Sequence, residues 1–260
     1  MIIYPNINPV IINIYGILGI RWYQLPYIFG ILYIQYFIKK YYQNLNFKNT
    51  QEVERLMSYV IAGLILGARL GYVLFYDFLY YMNHVKLIFY IWEGGLSFHG
   101  GVLGILLSLH IFKKKHKHIN VVIILDSIIH IVPIFLFFGR IANFINGELY
   151  GRISNCSICM IFPNNPFPRH PSQIYQALIE GLCVFIILNI IKKYQFTTQK
   201  GFMTIMFVIL YSVSRFFVEF FREPDSQIGY IMHYLSMGQV LCILSIIFGL
   251  IWIKYNVKHN

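Results

Sequence analysis

A chain of 260 residues that is 58% hydrophobic and 12% charged, with a mean hydropathy of +0.61, lies outside the soluble globular class. Its formal net charge of +11 is not gathered into a basic, aromatic-interleaved patch on a soluble domain, which argues against nucleic acid as a partner. The lysines collect instead beside apolar runs, where they face anionic lipid head groups.

Seven runs are long enough to cross about 30 Å of hydrocarbon at about 1.5 Å per residue. They cover roughly 14–38, 56–76, 96–112, 121–138, 173–191, 201–221 and 236–253. This predicts an all-α polytopic membrane protein, a single domain over 1–260 with a small outer head segment at 139–172. The first run has no basic segment before it and outlasts a signal-peptide core, so it is expected to stay as a helix. Lysines cluster at Lys39, Lys40 and Lys48, at Lys113 to Lys115 and Lys117, at Lys192, Lys193 and Lys200, and at Lys254 and Lys258. The positive-inside rule puts those clusters in the cytoplasm, giving N-terminus out and C-terminus in.

In chain order, the first polar feature is Arg21-Trp22-Tyr23, which reads either as an interface belt or as part of a substrate site. Gly63, Gly67 and Gly71 follow at i, i+4, i+8, a small-residue seam for close helix packing. Arg69 inside that seam needs an internal partner, with Glu180 and Asp126 both open. Next, glycine pairs bracket His99 in Gly94-Gly95-Leu96-Ser97-Phe98-His99-Gly100-Gly101. Such a backbone suits close packing or a wet cavity, and a neutral imidazole there suits a general base. His110, His130 and His233 lack such brackets and are read as packing or interface residues.

The fourth run leads into Gly139-Arg140-Ile141-Ala142-Asn143-Phe144-Ile145-Asn146-Gly147-Glu148-Leu149-Tyr150-Gly151-Arg152. An arginine at mid-bilayer costs about 2.5 to 3.5 kcal/mol, so Arg140 at a membrane boundary calls for an anionic partner. If the block begins helical, Arg140 and Asn143 share a face, and the arginine fork matches phosphate oxygens. Beyond it, Cys156 and Cys159 form an outer loop that either closes a disulfide or holds two thiols. No second cysteine–histidine pair stands at metal-ligand spacing, which argues against zinc. In the sixth run Tyr211, Arg215, Glu219 and Arg222 fall on one helical face, as an ion ladder, a ligand site or both.

These segments, with Arg169-His170-Pro171-Ser172-Gln173-Ile174-Tyr175 and Arg215 to Arg222, together resemble the bacterial prolipoprotein diacylglyceryl transferase family from about Trp22 to Gln239. The resemblance implies a seven-helix enzyme of the bacterial inner membrane. It would transfer the diacylglyceryl group of phosphatidylglycerol to the lipobox cysteine thiol of a preprolipoprotein signal peptide and release glycerol phosphate, with no metal or cofactor. Carried over residue by residue, it implies His99 as an essential histidine, Arg140 as the essential phospholipid-binding arginine and Arg215 as a further functional position, and the chemistry below makes all three catalytic. Tyr23, Asn143, Glu148, Gly151 and Tyr211, with Arg140, are implied at functional positions around the lipid; Asn146 and Arg222 join them from the polar constellation itself. Arg21 stands where the family has histidine, and only about seventeen positions separate Arg152 from Arg169, a reduced head.

The chemistry suits these residues. A thiol of pKa near 8.5 must become a thiolate, and the departing phosphate needs its charge met. His99 is expected to take the proton, and Arg140 and Arg215 the phosphate. Two rivals remain at this level: a transporter or flippase for an anionic lipid or solute, which intramembrane arginines also suit, and an inert scaffold that has lost activity. The absence of an inverted repeat argues against the first, and the joint presence of His99, Arg140 and Arg215 against the second.

Overall fold

The structure is a computed structural model that describes residues 2–5, 7–15, 18–163, 165–194, 199–223, 230–231 and 235–257. It is mainly helical, and the chain forms two compact units, residues 1–33 with 125–260, and residues 34–124. His233, Asp225 and Lys258 lie outside the described residues.

The first apolar run is not one helix. Its outer part folds as an antiparallel hairpin, β2 (Val10–Tyr15) with β3 (Leu18–Arg21), and α1 (Gln24–Lys40) begins only after Tyr23. The local sequence explains the correction. β-Branched isoleucines and valine dominate Val10 to Ile12, and Asn13 and Gly19 interrupt any helical stripe.

In the unit 34–124, α2 (Thr50–Phe75) starts at Asn49, whose side chain accepts from the Glu52 amide at 3.0 Å. A short helix, α3 (Phe78–Asn83), and 3-10 turns at Val85–Phe89 and Ile91–Glu93 lead to α4 (Phe98–Lys115). Ser97 caps α4, its hydroxyl accepting from Gly100 N at 3.2 Å. α2 and α4 pack along the predicted glycine seam. A Cβ on Gly63 would stand 2.5 Å from the Gly104 carbonyl oxygen, and one on Gly71 would stand 2.6 Å from Gly100 Cα. Two backbones therefore touch where side chains normally intervene.

Arg69 pairs with neither carboxylate expected for it. Its guanidinium donates to the carbonyls of Leu87 (2.6 Å), Ile88 (2.8 Å), Tyr90 (3.4 Å), Gly94 (2.6 Å) and Gly95 (3.1 Å), and it lies over the Tyr81 ring. Gly94 and Gly95 have φ of 93° and 73°, the left-handed region that turns their carbonyls toward the cation. The 3-10 turns thus exist as a carbonyl cage around one buried charge.

In the other unit, α5 (Val121–Ile128) and α6 (Val132–Ile145) occupy the fourth run but are bent by 57° at their break. Pro133 removes the amide that would bridge the break, so the helix cannot continue through Ile129. His130 packs at this break, where its Nε2 accepts from Lys192 Nζ at 2.9 Å. The fifth run is α7 (Ser172–Gln176), a π-helical turn over Ala177–Cys183, and α8 (Val184–Tyr194). Asp126 accepts from the Gly201 and Thr204 amides and from the Thr204 hydroxyl, which fixes the start of α9 (Phe202–Val218). α10 (Met237–Val257) begins with a capping box in which Ser236 Oγ accepts from the Gln239 amide at 3.2 Å and Gln239 Oε1 accepts from the Ser236 amide at 3.0 Å. Among the described residues, three helices are long and apolar enough to cross a membrane: Thr50–Phe75, Ser172–Tyr194 and Met237–Asn256. The bent pair makes a fourth if it is one span.

The head is a small β-rich patch. β1 (Ile2–Ile3) runs parallel to β4 (Met160–Ile161), and bridges join Gly151 to Arg222 and Arg169 to both Ile153 and Met160. β5 (Tyr230–Ile231) pairs with β6 (Leu235–Ser236) just before α10. Tyr4 is buried and donates to the Phe144 and Ile145 carbonyls at 2.6 and 2.7 Å. Cys156 and Cys159 are joined in a disulfide, which decides between the two readings of that loop.

Candidate functional site

Arg140 lies inside α6 and not at its mouth, because helix continues through the polar block to Ile145. Three residues on, Asn143 falls on the same face and is buried. Arg215 stands near the C-terminal end of α9, with Tyr211 one turn earlier. The α9 helix ends at Val218, so Glu219 caps it and Arg222 lies beyond it, bridged to Gly151. The predicted four-residue stripe therefore holds for Tyr211 and Arg215 and is completed by a turn.

What gathers these groups is a residue the sequence reading used only as one open partner for Arg69. Glu180 sits in the π-helical turn, 1% exposed, with Arg215 Nη1 3.4 Å from its Oε1 and Arg140 Nη2 3.6 Å from its Oε2. Arg215 also meets Glu219 Oε2 at 2.6 Å, and Arg222 approaches the same oxygen at 3.8 Å. Tyr211 lies within the electrostatic reach of Arg140. Arg152 donates to the Arg222 carbonyl at 2.8 Å and to the Glu219 carbonyl at 3.3 Å. Three arginines thus converge on two buried carboxylates, with Arg152 held beside them by backbone carbonyls, leaving surplus positive charge in an apolar surround. Such an arrangement suits an anion with several oxygens.

A second polar group adjoins this one. Asn143 and Asn146 both donate to Glu148 Oε1, at 2.8 and 3.0 Å. Gln173 donates to the Glu148 carbonyl at 2.6 Å and Ser172 to the Leu149 carbonyl at 3.0 Å. Those two bonds hold Leu149 at φ 57°, a left-handed conformation that costs a branched residue free energy. Gly151 is dictated by space: a Cβ there would stand 2.9 Å from His170 Cβ. Its amide donates to the His170 carbonyl at 2.8 Å, so Gly151 serves through its backbone. Tyr23 and Tyr27 share a hydroxyl hydrogen bond of 2.8 Å, and Arg140 and Glu148 act electrostatically on Tyr27. Tyr27 was not singled out in the sequence; it stands four residues after Tyr23, one helical turn.

The structure accordingly brings together Arg140, Tyr211 and Arg215, and beside them Asn143, Asn146 and Glu148. His99 lies in the first turn of α4, but its side chain is outside the described residues. Gln176 was also missed: it is fully buried, and among the described residues neither end of its amide has a hydrogen-bond partner. Its position one helical turn before Glu180 is a signal that only the structure makes readable.

Comparison with known proteins meets this geometry from another side. The family model described as prolipoprotein diacylglyceryl transferase matches residues 9–255. A phosphatidylglycerol-prolipoprotein diacylglyceryl transferase of Ehrlichia ruminantium (strain Gardel) is 42% identical over 262 residues, covering 98% of this chain and 99% of the relative. Proteins of the same name from Rickettsia bellii (strain OSU 85-389) and Rickettsia rickettsii (strain Sheila Smith) are 44% and 46% identical, with 95% of this chain and 94% and 95% of theirs covered.

Proposed function

The chain belongs to the prolipoprotein diacylglyceryl transferase family and is a membrane-embedded transferase of diacylglyceryl groups from phosphatidylglycerol to prolipoproteins, and on that premise we propose how its residues perform the transfer. Family membership decides for the enzyme over the transporter.

The observation that carries the site reading is the convergence of Arg140 and Arg215 on Glu180, with Tyr211 against Arg140. Phosphatidylglycerol brings one phosphate diester between two glycerol units. In the proposed reaction the thiolate of the lipobox cysteine attacks the diacylglycerol carbon that bears the phosphate ester. A carbon–sulfur bond forms, the carbon–oxygen bond breaks, and the electron pair leaves on glycerol phosphate. Arg140 and Arg215 meet the charge that grows on that phosphate, where preorganised cations in a water-poor site act most strongly. Glu180 is a positioning residue that holds both guanidinium planes. Asn143, Asn146 and Glu148 supply amide and carboxylate groups for the free glycerol hydroxyls, with Tyr23 and Tyr211 as further hydroxyl partners. Gly151 and Arg222 hold the wall behind them. We assign the thiol proton to His99 on its sequence motif alone.

The same proposal takes the remaining apolar helices with the three or four candidate spans as a seven-span bundle. It is a single domain of the bacterial inner membrane, N-terminus out and C-terminus in, as the lysine clusters require. Its clients are signal peptides bearing a lipobox cysteine, and it needs no cofactor.

The test is transfer of radiolabelled diacylglycerol from phosphatidylglycerol to a synthetic lipobox peptide by purified protein. Thioether product that disappears with Arg140→Ala and with a serine-for-cysteine peptide is the expected result. Folded protein that makes no product with both substrates present would leave the inert-scaffold reading standing. Full turnover by His99→Gln at every pH would remove the base assignment.

A further inference from the structure

Within residues 34–124, remote in sequence from the arginine site, one carboxylate and two imidazoles converge. Glu52 lies in the first turn of α2 and is only 7% exposed. His116 and His118 belong to the connection that follows α4. Glu52 Oε1 stands 3.5 Å from His116 Nδ1, and Glu52 Oε2 stands 3.1 Å from His118 Nε2. One ligand atom from each residue lies within 4.8 Å of the other two. A tetrahedral ion with ligands at about 2.0–2.2 Å separates any two of them by roughly 3.4 Å. The two measured separations, one to each oxygen of Glu52, lie near that value, and three ligand atoms within 4.8 Å of one another reach it by side-chain movement.

The three groups are held from both sides. The His116 ring stacks on buried Phe112 at 4.3 Å and 21°. Its amide donates to the Phe112 carbonyl at 2.9 Å, and Ile119 N donates back to the His116 carbonyl at 3.0 Å. Opposite, Glu52 Oε2 accepts from Lys48 N at 2.9 Å, which completes the N-terminal cap of α2. That cap accounts for one carboxylate oxygen and leaves Oε1 with an imidazole as its neighbour. Two neutral imidazoles and one carboxylate form a nitrogen–oxygen set suited to zinc and its first-row neighbours and ill suited to magnesium or calcium. The half-exposed His118 leaves a path from solvent and a fourth position for water. Lys48, Lys113, Lys114 and Lys117 are near neighbours of these residues in the sequence and bring positive charge to this part of the chain, while the Lys115 amine donates to the Tyr59 hydroxyl at 2.8 Å. This field weakens cation binding relative to a four-ligand structural site without changing the ligand set. Sequence spacing hid the group: two histidines at i, i+2 face a carboxylate sixty-four residues earlier than the first of them (116 − 52).

We propose that Glu52, His116 and His118 bind one divalent transition ion of the zinc class, which clamps the connection after α4 onto the start of α2.

The test uses the full-length, untagged protein in detergent, stripped with a chelator and kept non-reducing so that the Cys156–Cys159 bond occupies both sulfurs. Zinc is titrated in competition with a chromophoric chelator, and magnesium is titrated separately. The expected result is one zinc per chain, at least about tenfold weaker binding in His118→Asn, and no uptake of magnesium at the same site. His118 also shares a hydrogen bond of 3.1 Å with Glu52 Oε2, so each protein is compared with its own zinc-free unfolding temperature, and zinc should raise that temperature in the wild type alone. Equal zinc binding by wild type and by a His116→Asn/His118→Asn double variant would overturn the site. A Glu52→Gln variant that keeps wild-type affinity would overturn the carboxylate's part in it. Neither outcome depends on transfer activity, so the result stands apart from the transferase reading.

Discussion

Replacing Glu180 by glutamine removes a charge while keeping the side chain's size, and the structure fixes what should follow. Arg215 Nη1 and Arg140 Nη2 lie 3.4 and 3.6 Å from the two oxygens, and the carboxylate is almost wholly buried. At those separations and an effective dielectric near 20, each attraction is about 5 kcal/mol before desolvation is subtracted. Removing one partner of a buried pair typically costs about 3–5 kcal/mol, because the charge left behind stays desolvated. Here Arg215 keeps Glu219 at 2.6 Å and the Arg140 side chain is about a quarter exposed, so the lower end applies. A loss of about 3 kcal/mol translates into an unfolding temperature lower by about 6–12 °C for a chain of this size. Circular dichroism of the purified protein in detergent reads that shift. A cycle with Arg140→Met then isolates the pair, with an expected coupling of at least about 1 kcal/mol. An unfolding temperature within about 1 °C of wild type, together with zero coupling, would show that Glu180 does not hold the arginines.

Three further outcomes follow from other parts of the molecule. Arg140→Lys keeps the charge but not the fork, so transfer should fall by at least about tenfold with the unfolding temperature preserved; near-normal turnover in the radiolabel assay would remove the bidentate phosphate contact. Gly67→Ala drives a Cβ into the Gly100 and Gly104 backbone and should cost about 1–3 kcal/mol in thermal unfolding, more than Gly101→Ala, whose nearest neighbour is the mobile end of Leu64. Burial holds the His170 imidazole below the usual histidine range. The unfolded chain therefore takes up a proton near pH 6.5 that the folded chain refuses, so His170's contribution is full above that pH and is lost as pH falls toward the lower folded value. Unfolding temperatures measured from pH 7 to 5 should drop less in His170→Asn than in wild type.

Much of the helical fold was legible because burial in a membrane writes itself as long apolar runs, and the glycines of α2 could be read as a packing seam from their spacing alone. The first failure arose because backbone groups as well as side chains can satisfy a polar residue. Arg69 looked for a carboxylate in the sequence and found five carbonyls, a partner set that no residue-type pattern announces. The hairpin Val10–Arg21 was absorbed into the first span because β-branched strand residues and membrane residues are the same amino acids.

The arginine cluster of the candidate site was legible where a rare charged residue stands in an apolar setting, as with Arg140 and Arg215, and illegible where it depends on how a helix is wound. Glu180 faces both arginines from a π-helical turn over Ala177–Cys183. Such a turn widens the helix by one residue and shifts the face on which later side chains fall, and it occurs often at functional sites. Gly181 shows why this segment sits so close to α6, since a Cβ there would stand 2.6 Å from Phe137 Cβ. The close approach, the widened turn and the buried carboxylate act together: proximity to α6 brings Glu180 within reach of Arg140, and the same carboxylate's second oxygen reaches Arg215 on α9. Two cations from different helices are thereby fixed around one anion, so in the proposed reaction an incoming phosphate would meet a site already arranged for its charge.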